Sequence, residues 1–99
     1  MPSGEGASVL VTGGCGGLGG ILSLHLAKKG WTVFPTSRDG ASAEAFREHA
    51  GSLPLHPVVW RWEREEDVPE GFGELWRTME AVGAPPLGAV VHTVASRKP

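Results

Sequence analysis

Short β-rich apolar runs alternate along this chain with segments whose apolar residues recur at helical spacing. Ser8 to Thr12 is an apolar run bounded by glycines, the pattern of a strand buried on both faces. Leu18, Ile21, Leu22, Leu24, Leu26 and Ala27 then recur at helical spacing. This helix is predicted to end near Lys28-Lys29, with Gly30 just past it as a left-handed cap and the lysines at the negative end of the helix dipole. Trp31 to Phe34 reads as a second strand with Pro35 at or near its end. Ser42 is predicted to cap a helix over Ala43 to Ala50 that Gly51 closes. His56 to Trp62 is expected as a third strand centred on Val58, Val59 and Trp60. Asp67 and Pro69 open a third helix whose Phe72, Leu75, Trp76, Met79 and Val82 fall on one face. Gly83 ends it, Pro85-Pro86 prevent a restart, and Ala89 to Ala95 form a fourth strand.

The order is βαβαβαβ. Strands alternating with helices imply a parallel sheet joined by right-handed crossovers. The expected strand order is 3-2-1-4, a Rossmann-type α/β sheet with flanking helices, truncated after its fourth strand, with a ligand crevice at the carboxyl ends of strands 1 and 4. Residues 8–96 form this half-domain, with residues 1–7 read as a flexible lead and 97–99 as a tail.

Composition narrows the partners. The chain has 99 residues, 40% apolar and 20% charged, which fits one soluble globular domain. Net charge is −2 with no basic patch, so nucleic acid is not expected as a partner. The run Glu63-Arg64-Glu65-Glu66-Asp67 reads as a solvated turn between strand and helix. The single cysteine, Cys15, allows no internal disulfide and suits a reducing compartment. His25, His49, His56 and His92 are scattered without ligand spacing, so no metal is expected. No signal-peptide pattern and no long apolar stretch are present, and the cytoplasm is the expected location.

The candidate chemistry lies between the first strand and first helix, in Thr12-Gly13-Gly14-Cys15-Gly16-Gly17-Leu18-Gly19. A helix N-terminus offers unpaired N–H groups and a partial positive charge to a phosphate, and glycine lets the backbone approach and adopt positive φ. Three registers fit: G-x-G-x-x-G from Gly14, T-G-x-x-x-G-x-G through Gly17 and Gly19, and T-G-x-x-G-x-x-G through Gly16 and Gly19. The strand before and the helix after make dinucleotide binding the preferred reading over a merely tight turn. Cys15 stands near a helix start, a position that can lower a thiol pKa. It is read as a small tolerated loop residue, the alternative being a redox-sensitive thiol.

The segment Val9 to Gly19, together with Thr36-Ser37-Arg38 and Pro86 to His92, resembles the ketoreductase-type members of the short-chain dehydrogenase/reductase superfamily, over roughly residues 8–96. The resemblance favours the second register, with Gly13, Gly17 and Gly19 as phosphate-loop residues and Thr12, Cys15 and Leu18 among them. It implies an NADP(H)-dependent carbonyl/hydroxyl oxidoreductase. No acid occupies positions 35 to 37, where a carboxylate would select NAD, whereas Arg38 offers a fork for the 2′-phosphate and Ser37 a hydroxyl. Asp39 is the dissenting residue, and a plain turn charge is the alternative for Arg38. Glu63 is the nearest candidate for the acid that meets adenine in the family. Trp60 and Trp62 are read as packing residues, with adenine stacking as the alternative. His92-Thr93-Val94-Ala95 stands where the family lines the nicotinamide ribose, so His92 and Thr93 join the candidate site. Ala95 departs from the family's glycine there. A structural hydrogen-bonding role is expected for His92 rather than proton transfer.

The resemblance also defines what is missing. In this superfamily a tyrosine donates the proton, a lysine lowers its pKa and a serine orients substrate. This chain has no tyrosine, Lys98 lies in the tail, and Ser96 comes too early, so no catalytic residue is assigned and the chain alone is expected to be inactive. The expectation is a fragment carrying the NADP-binding part of such an oxidoreductase. A non-catalytic dinucleotide-binding or regulatory module is the alternative, and a ligand-free structural domain or another Rossmann protein the third reading. An uncovered fourth strand is expected to favour self-association.

Overall fold

The computed structural model describes residues 7–13, 15, 17–60 and 67–92, with Asp67 and His92 described by their backbone alone. In chain order the elements are β1 (Ser8–Thr12), α1 (Gly17–Lys28), β2 (Thr32–Ser37), α2 (Gly40–Ala50), β3 (Val58–Val59), α3 (Asp67–Val82) and β4 (Leu87–His92). The strands form one parallel sheet in the order β3-β2-β1-β4. This is the Rossmann-type arrangement expected from the alternation of periods.

All five residues of β1 are buried, as befits a central strand with helices on both faces. The period-2 pleat sorts its side chains. Val9 and Val11 join Val33, Ala27, Phe46, Ala50 and Leu55 under α1 and α2. Leu10 joins Phe34, Val58, Trp60, Leu75 and Met79 under α3. The start of β1 is tied to the approach to β4: Ser8 N–H donates to the Pro86 carbonyl (2.9 Å) and Ser8 Oγ to the Pro85 carbonyl (2.7 Å).

α1 docks by only part of the apolar set read from the sequence: Ala27 is buried and Leu24 and Leu26 pack against the core, but the closest approach is made by small residues. Its buried residues are Gly19, Gly20, Ser23 and Ala27, while Leu18 and Ile21 are 75% and 68% exposed. Small residues at roughly four-residue intervals let the helix axis approach its neighbours. A Cβ on Gly20 would already stand 3.3 Å from Phe46 Cε1.

β3 is shorter than the expected His56-to-Trp62 strand. A bridge joins Val33 to Leu55, and pairing resumes at Thr36–Val58 and Ser37–Val59. The interruption falls at Pro35 and Pro57, which have no N–H to contribute to a ladder. Pro35 thus lies within β2, two residues from its end, and the strand runs on to Ser37. Trp60 is buried in the core, and Trp62 lies outside the described residues.

α2 begins at Gly40, and its N-cap is Asp39 rather than Ser42: the Asp39 carboxylate accepts from Ser42 N–H at 2.7 Å and from Ser42 Oγ at 3.3 Å. An ionised carboxylate is the stronger acceptor at the positive end of a helix. α1 and α3 both end in paired hydrogen bonds around a glycine. Gly30 N–H donates to Ala27 and Trp31 N–H to Leu26; Gly83 N–H donates to Glu80 and Ala84 N–H to Met79.

On α3 only part of the expected face is buried. Gly71, Leu75 and Met79 form the inward ridge, whereas Phe72, Trp76 and Val82 remain 37%, 49% and 41% exposed. Gly71 carries the plane of Trp60, whose ring also meets Phe72 edge-on at 4.9 Å. β4 starts two residues before the expected Ala89, with a register shift between Ser8 and Val9 at the glycine that follows Leu87. Its expected continuation to Ala95 lies outside the described residues.

Candidate functional site

Because every strand runs the same way, the carboxyl ends of β1, β2 and β4 share one edge of the sheet. Thr12 is in register with His92, and Val11 with Pro35. The chain leaves β1 toward β2 on one side, while β4 lies on the other, so a crevice opens at this divergence. The edge gathers Thr12, Gly13, Cys15 and the first turn of α1 (Gly17, Leu18, Gly19) with Ser37 and Arg38 from the end of β2. His92 reaches the edge with its backbone. Glu63 and Thr93, with loop glycines Gly14 and Gly16, lie outside the described residues.

The turn has the backbone that glycine makes accessible. Gly13 has φ +69° and Gly17 φ +56°, both in the region L side chains disfavour. A Cβ built on Gly17 would meet nothing within 4 Å, so it faces open space at the head of α1. The first N–H groups of α1 have no carbonyl a turn earlier in the helix to bond. Leu18, largely exposed, stands beside them. Gly19 is buried and serves the close packing of α1 on the sheet.

Gly13 contributes differently from its neighbours. Its N–H donates to Thr36 Oγ1 at 2.9 Å, across 23 residues of chain, and Thr36 is 2% exposed. Its part in the turn is therefore its left-handed conformation. Sequence reasoning placed Thr36 in the family-like segment but gave it no role, because the bond joins two strands and leaves no local signature.

At the end of β2 the hydroxyl of Ser37 donates to the Asp39 carbonyl (3.0 Å) and accepts from Asp39 N–H (3.3 Å). Ser37 is buried and its single proton is committed, so it shapes the turn that presents the exposed Arg38. Both Asp39 carboxylate oxygens are engaged by Ser42 at the α2 N-terminus.

The Cys15 thiol pKa is not lowered by the helix start beside it. Burial pushes its thiol up to about 11, and the Asp39 carboxylate adds to the shift. Any lowering by the helix start is outweighed, because the thiol packs against the α1/α2 core cluster. At neutral pH it is a protonated, small apolar group.

Trp60, the other aromatic candidate, is 2% exposed between β3 and α3 and belongs to the core. No described helix is long and apolar enough to cross a membrane.

The sheet order, the alternating helices and the glycine turn at the first strand–helix junction make a Rossmann-type fold, one that solved short-chain dehydrogenase structures share. Among solved structures, the chain is similar to the Pseudomonas aeruginosa RhlG/NADP active-site complex, with a TM-score of 0.72 and 20% identity over 97% of this chain. It is also similar to a short-chain dehydrogenase from Bacillus anthracis str. 'Ames Ancestor', with a TM-score of 0.73 and 20% identity over 93% of this chain. The chain spans only 38% and 36% of the length of those two proteins. No protein-family model and no curated protein sequence matches it.

Proposed function

We propose that this chain is the dinucleotide-binding part of a short-chain, NADP(H)-dependent carbonyl/hydroxyl oxidoreductase. The observation that carries this reading is the pairing of two features on one sheet edge: a left-handed glycine turn opening onto the head of α1, and a β2 end that presents Arg38 while Asp39 is held as a helix cap. The similarity to the RhlG/NADP complex supports it.

The residues fit the group. The N–H groups of the first α1 turn, at Gly17, Leu18 and Gly19, receive the pyrophosphate, and the open space over Gly17 accommodates it. Gly13 gives the turn its direction, and Thr12 and Cys15 form its walls. Arg38 pairs with the 2′-phosphate, and Ser37 holds the turn on which Arg38 stands. The commitment of Asp39 to Ser42 leaves it poorly placed to grip a ribose diol, which favours NADP over NAD. Glu63 is assigned to the adenine end, and His92 with Thr93 to the nicotinamide ribose. When bound, the cofactor supplies a hydride. The chain's residues at this site contribute binding and orientation.

Titration of nicotinamide fluorescence tests the assignment. NADPH is expected to bind at least tenfold more tightly than NADH. Arg38→Ala is expected to weaken NADPH by about ten- to a hundredfold, the range for a charge-assisted contact, with NADH changed less than twofold. Comparable affinities for the two nucleotides would refute the NADP assignment, and no binding of either would refute the site.

A further inference from the structure

Thr36 lies outside the glycine turn, on a different strand, yet it holds the first residue of that turn. Its Oγ1 accepts the Gly13 N–H at 2.9 Å, its side chain is buried, and its strand position is anchored on the other side by register with Val58. Pro35 immediately before it has a fixed φ, which stiffens the strand end. Ser37 immediately after it shapes the turn that presents Arg38. One hydroxyl therefore joins the turn at the head of α1 to the strand end that carries the guanidinium.

We infer that Thr36 is a positioning residue of the dinucleotide site. It fixes the peptide entering Gly13 and sets the spacing between the pyrophosphate turn and the 2′-phosphate end. This rests on the function proposed above and adds a residue to it. A ligand that spans both ends gains affinity from a fixed spacing, because the second contact is made without further ordering. A ligand that fills one end does not. Without the Thr36 acceptor, the Gly13 amide is a donor with no partner inside the fold, and its peptide is released to turn.

Two variants and two ligands test this. Thr36→Val keeps the branched shape and removes the acceptor; Thr36→Ser keeps the hydroxyl. NADPH spans both ends, whereas 2′-AMP reaches the Arg38 end without a pyrophosphate. Thr36→Val is expected to weaken NADPH about five- to tenfold, the usual size of one lost hydrogen bond. It should leave 2′-AMP within twofold, and Thr36→Ser should restore NADPH. Exchange of the Gly13 amide with solvent deuterium should accelerate in Thr36→Val and not in Thr36→Ser. The inference is overturned if Thr36→Val binds NADPH like the unaltered chain, or loses both ligands in equal proportion. Failure of the unaltered chain to bind NADPH overturns the proposed function itself and this inference with it.

Discussion

Two glycines in α3, two residues apart, are predicted to respond to the same substitution with opposite sign. Alanine in place of glycine inside a helix ordinarily stabilises by about 0.5–1 kcal/mol, because it restricts the unfolded backbone. Gly73 follows that rule: a Cβ there would meet only Arg77 Nη1, at 3.8 Å, an ordinary contact. At Gly71 the new Cβ would lie 1.8 Å from Trp60 Cε2 and 1.9 Å from Nε1. These atoms belong to a rigid ring that is 2% exposed and wedged against Phe72, so it cannot swing into solvent. Either the indole or α3 must move, and overpacking of this kind costs about 1–3 kcal/mol. After the helical gain, Gly71→Ala should still destabilise by about 1–2 kcal/mol, while Gly73→Ala stabilises. At about 4–8 °C per kcal/mol for a domain of this size, the two melting temperatures should separate clearly. Urea unfolding of both variants and of Gly71→Ala combined with Trp60→Leu is the assay. Removing the indole should recover most of the Gly71→Ala loss relative to Trp60→Leu alone. A Gly71→Ala chain as stable as the unaltered one would refute the packing of Trp60 on α3.

Other outcomes follow from the same geometry. His56 is held below its ordinary value of 6.5, chiefly by burial and then by Arg47. Between that depressed value and 6.5 the unfolded chain binds more protons, so stability is full above about pH 6.5 and falls as the pH drops through the window; His56→Gln should flatten that slope in urea titrations from pH 7 to 5. Cys15, at about 11, should react slowly with iodoacetamide at neutral pH, with a rate still rising above pH 9, and a plateau below pH 8.5 would contradict its burial. Asp39→Ala removes the α2 cap and should cost about 1 kcal/mol, with Asp39→Ser recovering most of it in thermal melts. Val90, 58% exposed on β4, is the place to test association: sedimentation should show concentration-dependent dimers that Val90→Lys disperses, and a strictly monomeric chain would remove that expectation.

The sequence showed the architecture because its periods change cleanly, and each glycine stop coincides with a real helix end at Gly30, Gly51 and Gly83. What it hid was tertiary. Of the apolar residues of α1, Leu24, Leu26 and Ala27 do meet the core, but close approach to the sheet also buries Gly19, Gly20 and Ser23, while Leu18 and Ile21 stay exposed. Ser42 looked like a cap, yet the helix begins earlier, and Asp39 caps it by accepting the N–H of Ser42 itself. β3 read as a long strand because its residues favour one, while the missing N–H groups of Pro35 and Pro57 interrupt its pairing. In the candidate site, the glycine turn and Arg38 were legible as local patterns. The bond from Gly13 to Thr36 was not, because no local pattern records a contact between strand ends 23 residues apart.

The pairing of β1 with β4 carries a consequence for synthesis. Ser8 and its neighbours are translated early in this stretch, yet the residues that flank them on one side, Leu87 to His92, emerge close to eighty positions later. A growing chain can close the α1–β2 unit soon after it is made, but one side of its central strand stays bare until nearly all of this stretch has left the ribosome. Contacts so distant in sequence slow folding and lengthen the interval in which a bare strand can meet another nascent chain. A ribosome stalled before Leu87 would therefore hold a sticky intermediate, and chaperone engagement at that length would be its signature.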